Sequence, residues 1–281
     1  MRIINTEKIS EETEKLFKEI AFVADKELIK LQKKAFREET SPLAKDIISI
    51  LLDNCEKAEK TEKPICQDTG TAFVFLEIGQ EVHLTGENLS VAVNKAAERA
   101  YKKNYLRKSI VKDPLLDREN TQTNTPAIIY TEIVPGDKLK ITVAAKGGGA
   151  ENMSQLKMFT PATPAEKIEE WIADCAIKAG GNACPPMIVG AGLGGSFDYA
   201  AFLAKKALLR DLSETNPHKG YAEMEERILN LINKSNVGAQ GLGGKITALK
   251  VMIETFPCHI ASLPAAVNIQ CHAHRHKSII I

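Results

Sequence analysis

The chain has 281 residues, 44% of them apolar and 26% charged, with a net charge of +1. This is the composition of an ordinary globular protein, long enough for one large domain or two small ones. The near balance of charge gives no electrostatic case for nucleic acid or an anionic membrane surface, and no stretch approaches the roughly 18 apolar residues of a membrane span.

Residues 9–37 predict one helix, with Ser10 as N-cap, acidic Glu11 and Glu12 in its first turn, and Leu16, Ile20, Phe22 and Val23 as apolar positions. Ser41-Pro42 opens a second helix reaching about residue 56, with proline at the first helical position. Residues 71–78 read as a strand and 90–102 as a helix. Residues 128–134 and 139–144 are strand-like, and the turn sequence Pro135-Gly136-Asp137 between them predicts a β-hairpin. A helix over 165–179 is stopped by Gly180-Gly181. A short strand at 187–189 runs into a glycine loop, followed by a helix over 197–209. Residues 221–234 read as a helix, and 246–253 and 265–269 as strands. The expected fold is α+β, with many helices around small mixed or antiparallel sheets; the hairpin argues against a purely parallel doubly wound sheet. With no repeat, low-complexity tract or clear linker, residues 1–281 are expected to form a single catalytic domain.

Glycines cluster at 147–149, 190–195 and 238–244. Glycine lets the backbone approach a ligand closely, so three such loops suggest a polar site lined by main-chain amides. Six cysteines are too sparse for a disulfide scaffold. Residues 1–18 lack the apolar core of a signal peptide, so reduced thiols in a cytoplasm are expected. Cys55 and Cys175 fall on helical patterns and read as small buried hydrophobes. Cys66, in Pro64-Ile65-Cys66-Gln67-Asp68-Thr69-Gly70, Cys184, in Ala183-Cys184-Pro185-Pro186, and Cys271, in Asn268-Ile269-Gln270-Cys271-His272, sit beside turn or polar residues. Three such cysteines suggest one soft-metal site assembled from distant parts of the chain. Thiolates are the usual ligands of iron–sulfur clusters, and a cluster held by three leaves one iron open.

Rival readings are weaker. Gly190-x-Gly192-x-x-Gly195 matches the dinucleotide fingerprint, but the acidic residue expected about 20 positions on falls at the end of a helix, with no strand between. Gly241-Leu242-Gly243-Gly244-Lys245-Ile246-Thr247 misses the phosphate-loop pattern, because Ile246 separates Lys245 from Thr247. On a strand, His272, His274 and His276 would share one face and could chelate zinc, but Cys271 would point away from them. His259, taken alone, reads as a core histidine in preference to a polar active-site group.

Together the cysteine segments, Lys146-Gly147-Gly148-Gly149-Ala150-Glu151-Asn152, and Arg118-Glu119-Asn120-Thr121 followed by Asn124-Thr125-Pro126-Ala127 resemble the α subunit of class I, iron–sulfur-dependent fumarate hydratases. The L-tartrate dehydratase α subunit belongs to the same family. The resemblance runs from about residue 6 to residue 276. It implies a [4Fe–4S] cluster on Cys66, Cys184 and Cys271. It also implies substrate contacts from Gln67 and Asp68, a carboxylate-binding arginine matching Arg107 better than Arg118, a loop contact represented by Gly148, and an active-site histidine at His259. The implied reaction is the reversible hydration of fumarate to L-malate, a step of the tricarboxylic acid cycle. The alternatives are the same chemistry on tartrate, or a non-catalytic nucleotide- or metal-binding protein. The resemblance implies that the second module of single-chain members lies on another chain. A separate β subunit is therefore the expected partner, in a heterodimer or higher heteromer, and is expected to carry the base that removes the C3 proton. Arg107, with a planar fork that pairs a carboxylate, suits a clamp, whereas ionised Asp68 only accepts hydrogen bonds and suits orienting His259 or the hydroxyl.

Overall fold

The computed structural model describes residues 1–281. The chain order is β1 (Arg2–Asn5), α1 (Thr6–Phe22), α2 (Lys26–Glu38), α3 (Pro42–Thr61), β2 (Thr71–Gly79), β3 (Val82–Thr85), α4 (Leu89–Lys103), β4 (Ile128–Val134) and β5 (Leu139–Lys146). It continues with the single turn α5 (Gly148–Glu151), β6 (Gln155–Phe159), α6 (Ala165–Ala179), β7 (Met187–Gly194), α7 (Phe197–Ala207), α8 (Lys219–Asn233), β8 (Ala248–Phe256), β9 (Leu263–Gln270) and β10 (Arg275–Ile280). The α+β class with small mixed sheets stands. No helix is long and apolar enough to cross a membrane.

The chain divides into two compact units. The first comprises Met1–Asp25, Cys55–Gly148 and Arg275–Ile281. Its four-stranded sheet has the order β10-β5-β2-β4, and β1 and β3 form a separate parallel pair. Asn5 caps α1 by accepting the Glu7 N–H at 2.8 Å. The predicted cap, Ser10, instead lies buried within α1 and donates to Ala92 O on α4 at 2.9 Å. Alternation along β2 puts Ala72, Val74, Leu76 and Ile78 into one core with Ile9, Leu16, Phe17 and Ile20 of α1 and Val93, Ala97 and Ala100 of α4. Phe75, of the opposite parity, stacks on Tyr130 at 4.9 Å.

Two expectations fail here. The helix over 9–37 is two helices: Val23 leaves α1 with extended backbone, and α2, after Asp25, belongs to the other unit. The hairpin does not form, because β2 lies between β4 and β5, parallel to the first and antiparallel to the second. The turn over 135–138 arches across the end of β2, where Gly79 N–H donates to Lys138 O at 2.8 Å. A Cβ on Gly79 would stand 2.4 Å from Gly136 O, so only glycine fits beneath the arch.

The second unit comprises Lys26–Asn54 and Gly149–His274. Its sheet order is β6-β9-β7-β8, with β7 parallel to β8 and antiparallel to β9. On one face Val189, Ala191 and Leu193 of β7, with Val251 and Ile253 of β8, pack against Ile172 and Ala176 of α6 and Ile228 and Ile232 of α8. On the other, Ile188, Leu249 and Met252 join Leu28 and Ala35 of α2 and Ala44 and Ile48 of α3. Gly190–Gly194 is strand rather than loop. Its glycines serve helix packing: a Cβ on Gly190 would meet Ala204 O at 2.3 Å, and one on Gly192 would meet Ala200 O at 2.2 Å. The backbone of α7 lies too close for any side chain there, which accounts for the dinucleotide-like spacing without a nucleotide.

Candidate functional site

In the first unit, one irregular segment after α3 carries Cys66, Gln67 and Asp68, and it is fastened from several sides. Ile65 N–H donates to Ala21 O at 2.9 Å. Thr69 Oγ1 donates to Arg107 O at 2.7 Å. Tyr101 Oη, almost wholly buried, lies 2.9 Å from both Thr69 O and Gly70 O. Asn124, in the left-handed region at φ 59°, donates from Nδ2 to Gly70 O at 3.0 Å and accepts the Ser109 N–H at 2.7 Å. Asp68 completes the frame: Oδ2 accepts the Gly148 N–H at 2.7 Å, and Oδ1 accepts the Gly70 N–H at 3.1 Å.

This frame brings together four residues singled out from the sequence. Gln67, Arg107 and Gly148 are exposed and Asp68 is half-buried. The main chains of two of them are tied directly, Arg107 through Thr69 and Gly148 through Asp68. Arg118 is turned elsewhere, donating to Pro114 O within its own loop. Tyr101 and Asn124 were not anticipated. They act on carbonyls of a loop distant in sequence, and no local pattern signals that.

The second unit holds Cys184, Cys271 and His259. Cys184 sits in the left-handed region at φ 51°, where the 3₁₀ turn after α6 ends; its N–H donates to Gly181 O at 3.0 Å. Its carbonyl accepts the His272 N–H at 3.1 Å, which places the Cys184 and Cys271 segments side by side. Gln240 braces this turn, donating from both its main-chain N–H and its Nε2 to Pro185 O at 2.8 Å. Behind Cys271, Asn268 Nδ2 donates to Glu151 Oε2 at 2.9 Å and to Ser154 Oγ at 2.7 Å, while Lys205 Nζ reaches Glu151 Oε1 at 2.6 Å. Burial pulls the Lys205 ammonium below its ordinary pKa, and Glu151 counteracts that. His259 is exposed on the β8–β9 connection, not in a core. Its Nδ1 accepts the Ala261 N–H at 3.1 Å, which leaves the neutral ring protonated on Nε2.

Donor chemistry separates the six cysteines, none of which is in a disulfide. Burial pushes the thiols of Cys55 and Cys175 up to about 11, so both stay protonated at neutral pH. Cys66 and Cys184 are half-exposed on irregular backbone, and Cys271 follows a strand end. Cys66 belongs to the first unit and the other two to the second. No three His, Cys, Asp or Glu side chains are grouped to hold a metal ion. The zinc reading of the histidine run loses its premise, since His272 and His274 precede β10 and His274 occupies a turn at φ 35°.

Residues 10–280 match the family described as fumarate hydratase (fumerase). The chain is 39% identical over 278 residues to the putative L(+)-tartrate dehydratase subunit alpha of Methanocaldococcus jannaschii, covering 95% of each. It is 32% identical over 245 residues to the L(+)-tartrate dehydratase subunit alpha of Escherichia coli O157:H7, covering 86% of this chain and 80% of the relative. The match to this family and to these relatives defines a hydro-lyase. The chain belongs to the fumarate hydratase family and is related to tartrate dehydratase α subunits.

Proposed function

We propose that the chain is the α subunit of a [4Fe–4S]-dependent hydro-lyase that, with a separate β subunit, reversibly hydrates fumarate to L-malate in a reducing cytoplasm. The observation that carries this reading is the Asp68 clasp, which ties the Gly148 main chain to the segment bearing Cys66 and Gln67, while Thr69 of that segment holds the Arg107 main chain. Cys66, Cys184 and Cys271 would hold the cluster. When bound, it supplies a Lewis-acidic iron that eases departure of hydroxide.

The chain's own residues have separate tasks. The Arg107 guanidinium pairs with a substrate carboxylate through parallel N–H donors and stabilises the charge that grows there during proton loss. The Gly148 main chain offers a close approach without a side chain in the way. Asp68, with both oxygens engaged by N–H donors, holds these parts in register and orients the substrate hydroxyl. His259, with Nδ1 occupied and the proton on Nε2, presents a donor rather than a base. It therefore positions substrate, and the base that takes the C3 proton comes from the β subunit.

A second reading, dehydration of L-tartrate, is favoured by the names of the relatives. The hydrated substrates of the two readings, L-malate and L(+)-tartrate, differ by one hydroxyl. Turnover of the assembled enzyme on fumarate, L-malate and L(+)-tartrate separates them. A kcat/KM for fumarate at least about tenfold above that for tartrate, a difference of about 1.4 kcal/mol, supports the first reading. The reverse ratio establishes the second, and no turnover on either removes both.

A further inference from the structure

Beneath the glycine loop of the first unit lies a charge that the proposed reaction does not use. Arg275 opens β10, pairs in register with Ala145 of β5, and is only 4% exposed. Its Nε and Nη1 are buried without a hydrogen-bond partner. Arginine cannot shed its proton, so this is a permanent positive charge away from water, a costly placement unless an anion lies close. The anion is Asp68. A point one Cβ above Gly147 lies 3.1 Å from Asp68 Oδ2 and 3.9 Å from Arg275 Nη2, so carboxylate and guanidinium face the same small space over a glycine. Both also act on the buried Tyr101 hydroxyl: desolvation dominates its upward shift, Arg275 opposes it and Asp68 adds to it.

Building on the hydro-lyase reading, we infer that Arg275 is a positioning residue. Its sealed guanidinium acts through Asp68, holding that carboxylate against the Gly148 and Gly70 amides and thereby fixing the Gly147–Gly148 loop for substrate. Its Nε and Nη1 are closed off from substrate, and Nη2 is the nitrogen that faces the Asp68 side of Gly147. It acts by charge, which carries further in this low-dielectric setting than in water. Glycine at 147 is part of the device, since a methyl group there would crowd Asp68 Oδ2.

The test is a double-mutant cycle on the full chain assembled with its β subunit, with thermal unfolding recorded for every variant. Arg275→Met is expected to lower kcat, with KM within about threefold, and to reduce kcat/KM by about 100-fold, or about 2.7 kcal/mol. Arg275→Lys, which keeps the charge, is expected to recover to within about tenfold of wild type. In an Asp68→Asn background, Arg275→Met is expected to cost less than about threefold more. Equal losses from Arg275→Met in both backgrounds would overturn the inference, as would a loss confined to KM. If Arg275→Met does not fold, Arg275→Lys and Gly147→Ala carry the cycle with the same non-additivity criterion. Hydrogen exchange at the Gly148 and Gly70 amides of the chain serves as a readout independent of catalysis. Faster exchange in Arg275→Met with unchanged exchange in β7 supports the link to Asp68, and unchanged exchange at both amides contradicts it. Wild-type enzyme without turnover would reject the hydro-lyase reading while leaving this readout decisive for Arg275.

Discussion

Asp68 and Gly148 lie 80 positions apart in sequence, yet the Asp68 carboxylate accepts the Gly148 N–H at 2.7 Å while its other oxygen accepts the Gly70 N–H at 3.1 Å. One side chain thus holds two of the glycine-bearing segments that define the family resemblance. Asp68→Ala leaves both amides without an acceptor and is expected to cost about 2 kcal/mol in denaturant unfolding. It should lower turnover of the assembled enzyme by at least about 100-fold, equivalent to about 2.7 kcal/mol. Asp68→Asn keeps the shape and one acceptor oxygen, so its stability should fall between alanine and wild type. An alanine variant with wild-type turnover would remove Asp68 from the site.

Cys66, Cys184 and Cys271 are expected to behave as one set and Cys55 and Cys175 as another. After anaerobic reconstitution, serine at any of the first three should abolish most bound iron and acid-labile sulfide. Serine at either buried helical position should leave both unchanged, because those thiols are held protonated by burial. Full iron retention in Cys184→Ser would sink the ligand assignment.

Glu39 predicts a pH dependence that does not depend on the site. It is only 1% exposed, and its oxygens accept the N–H groups of Thr40, Ser41, Lys245 and Ile246 at 2.7–3.0 Å. Burial raises its pKa, but the four amides outweigh burial and hold it below the ordinary carboxylate value. A carboxylate with a depressed folded-state pKa contributes its full stability above the unfolded value of about 4.3, and loses it as pH falls through the folded value. Glu39→Gln should therefore cost about 2 kcal/mol at pH 7, with the difference shrinking in acid below pH 4. Equal costs at pH 7 and pH 3 in chemical denaturation would refute the charge-based account.

Gly190→Ala and Gly192→Ala each place a methyl group little more than 2 Å from a carbonyl of α7. Since α7 must move, a loss of about 3 kcal/mol is expected, enough to lower the melting temperature by several degrees. A nucleotide added to wild type should not raise that temperature. A nucleotide-dependent shift would revive the dinucleotide reading of these glycines.

Periodicity and turn residues made most helices legible, as at α6, where apolar spacing and Gly180-Gly181 mark both body and end. Strand neighbours were not legible. The Pro135-Gly136-Asp137 turn signals a chain reversal but not that β2 lies between the strands it joins, because β2 comes from 50 residues earlier and long-range pairing leaves no local mark. The break after Phe22 was hidden because Val23 and Ala24 continue an apolar pattern while the chain passes to another unit. The candidate site residues stand out as motifs in the sequence, but the residues that support them do not. Tyr101 and Asn124 act on carbonyls far away in sequence, and Arg275 sits in a His-Arg-His run whose histidines, not the arginine, draw attention as possible metal ligands.

The account turns on this chain being one part of a fumarate-hydrating enzyme. The most direct measurement is anaerobic conversion of fumarate to L-malate by the iron-replete chain, with and without its β subunit. The predicted result is little or no turnover from the chain alone and steady conversion on adding the partner. Full activity from the isolated chain would contradict the division of labour and leave His259 as the base. An inactive assembled enzyme that converts neither fumarate nor L(+)-tartrate would contradict the function itself.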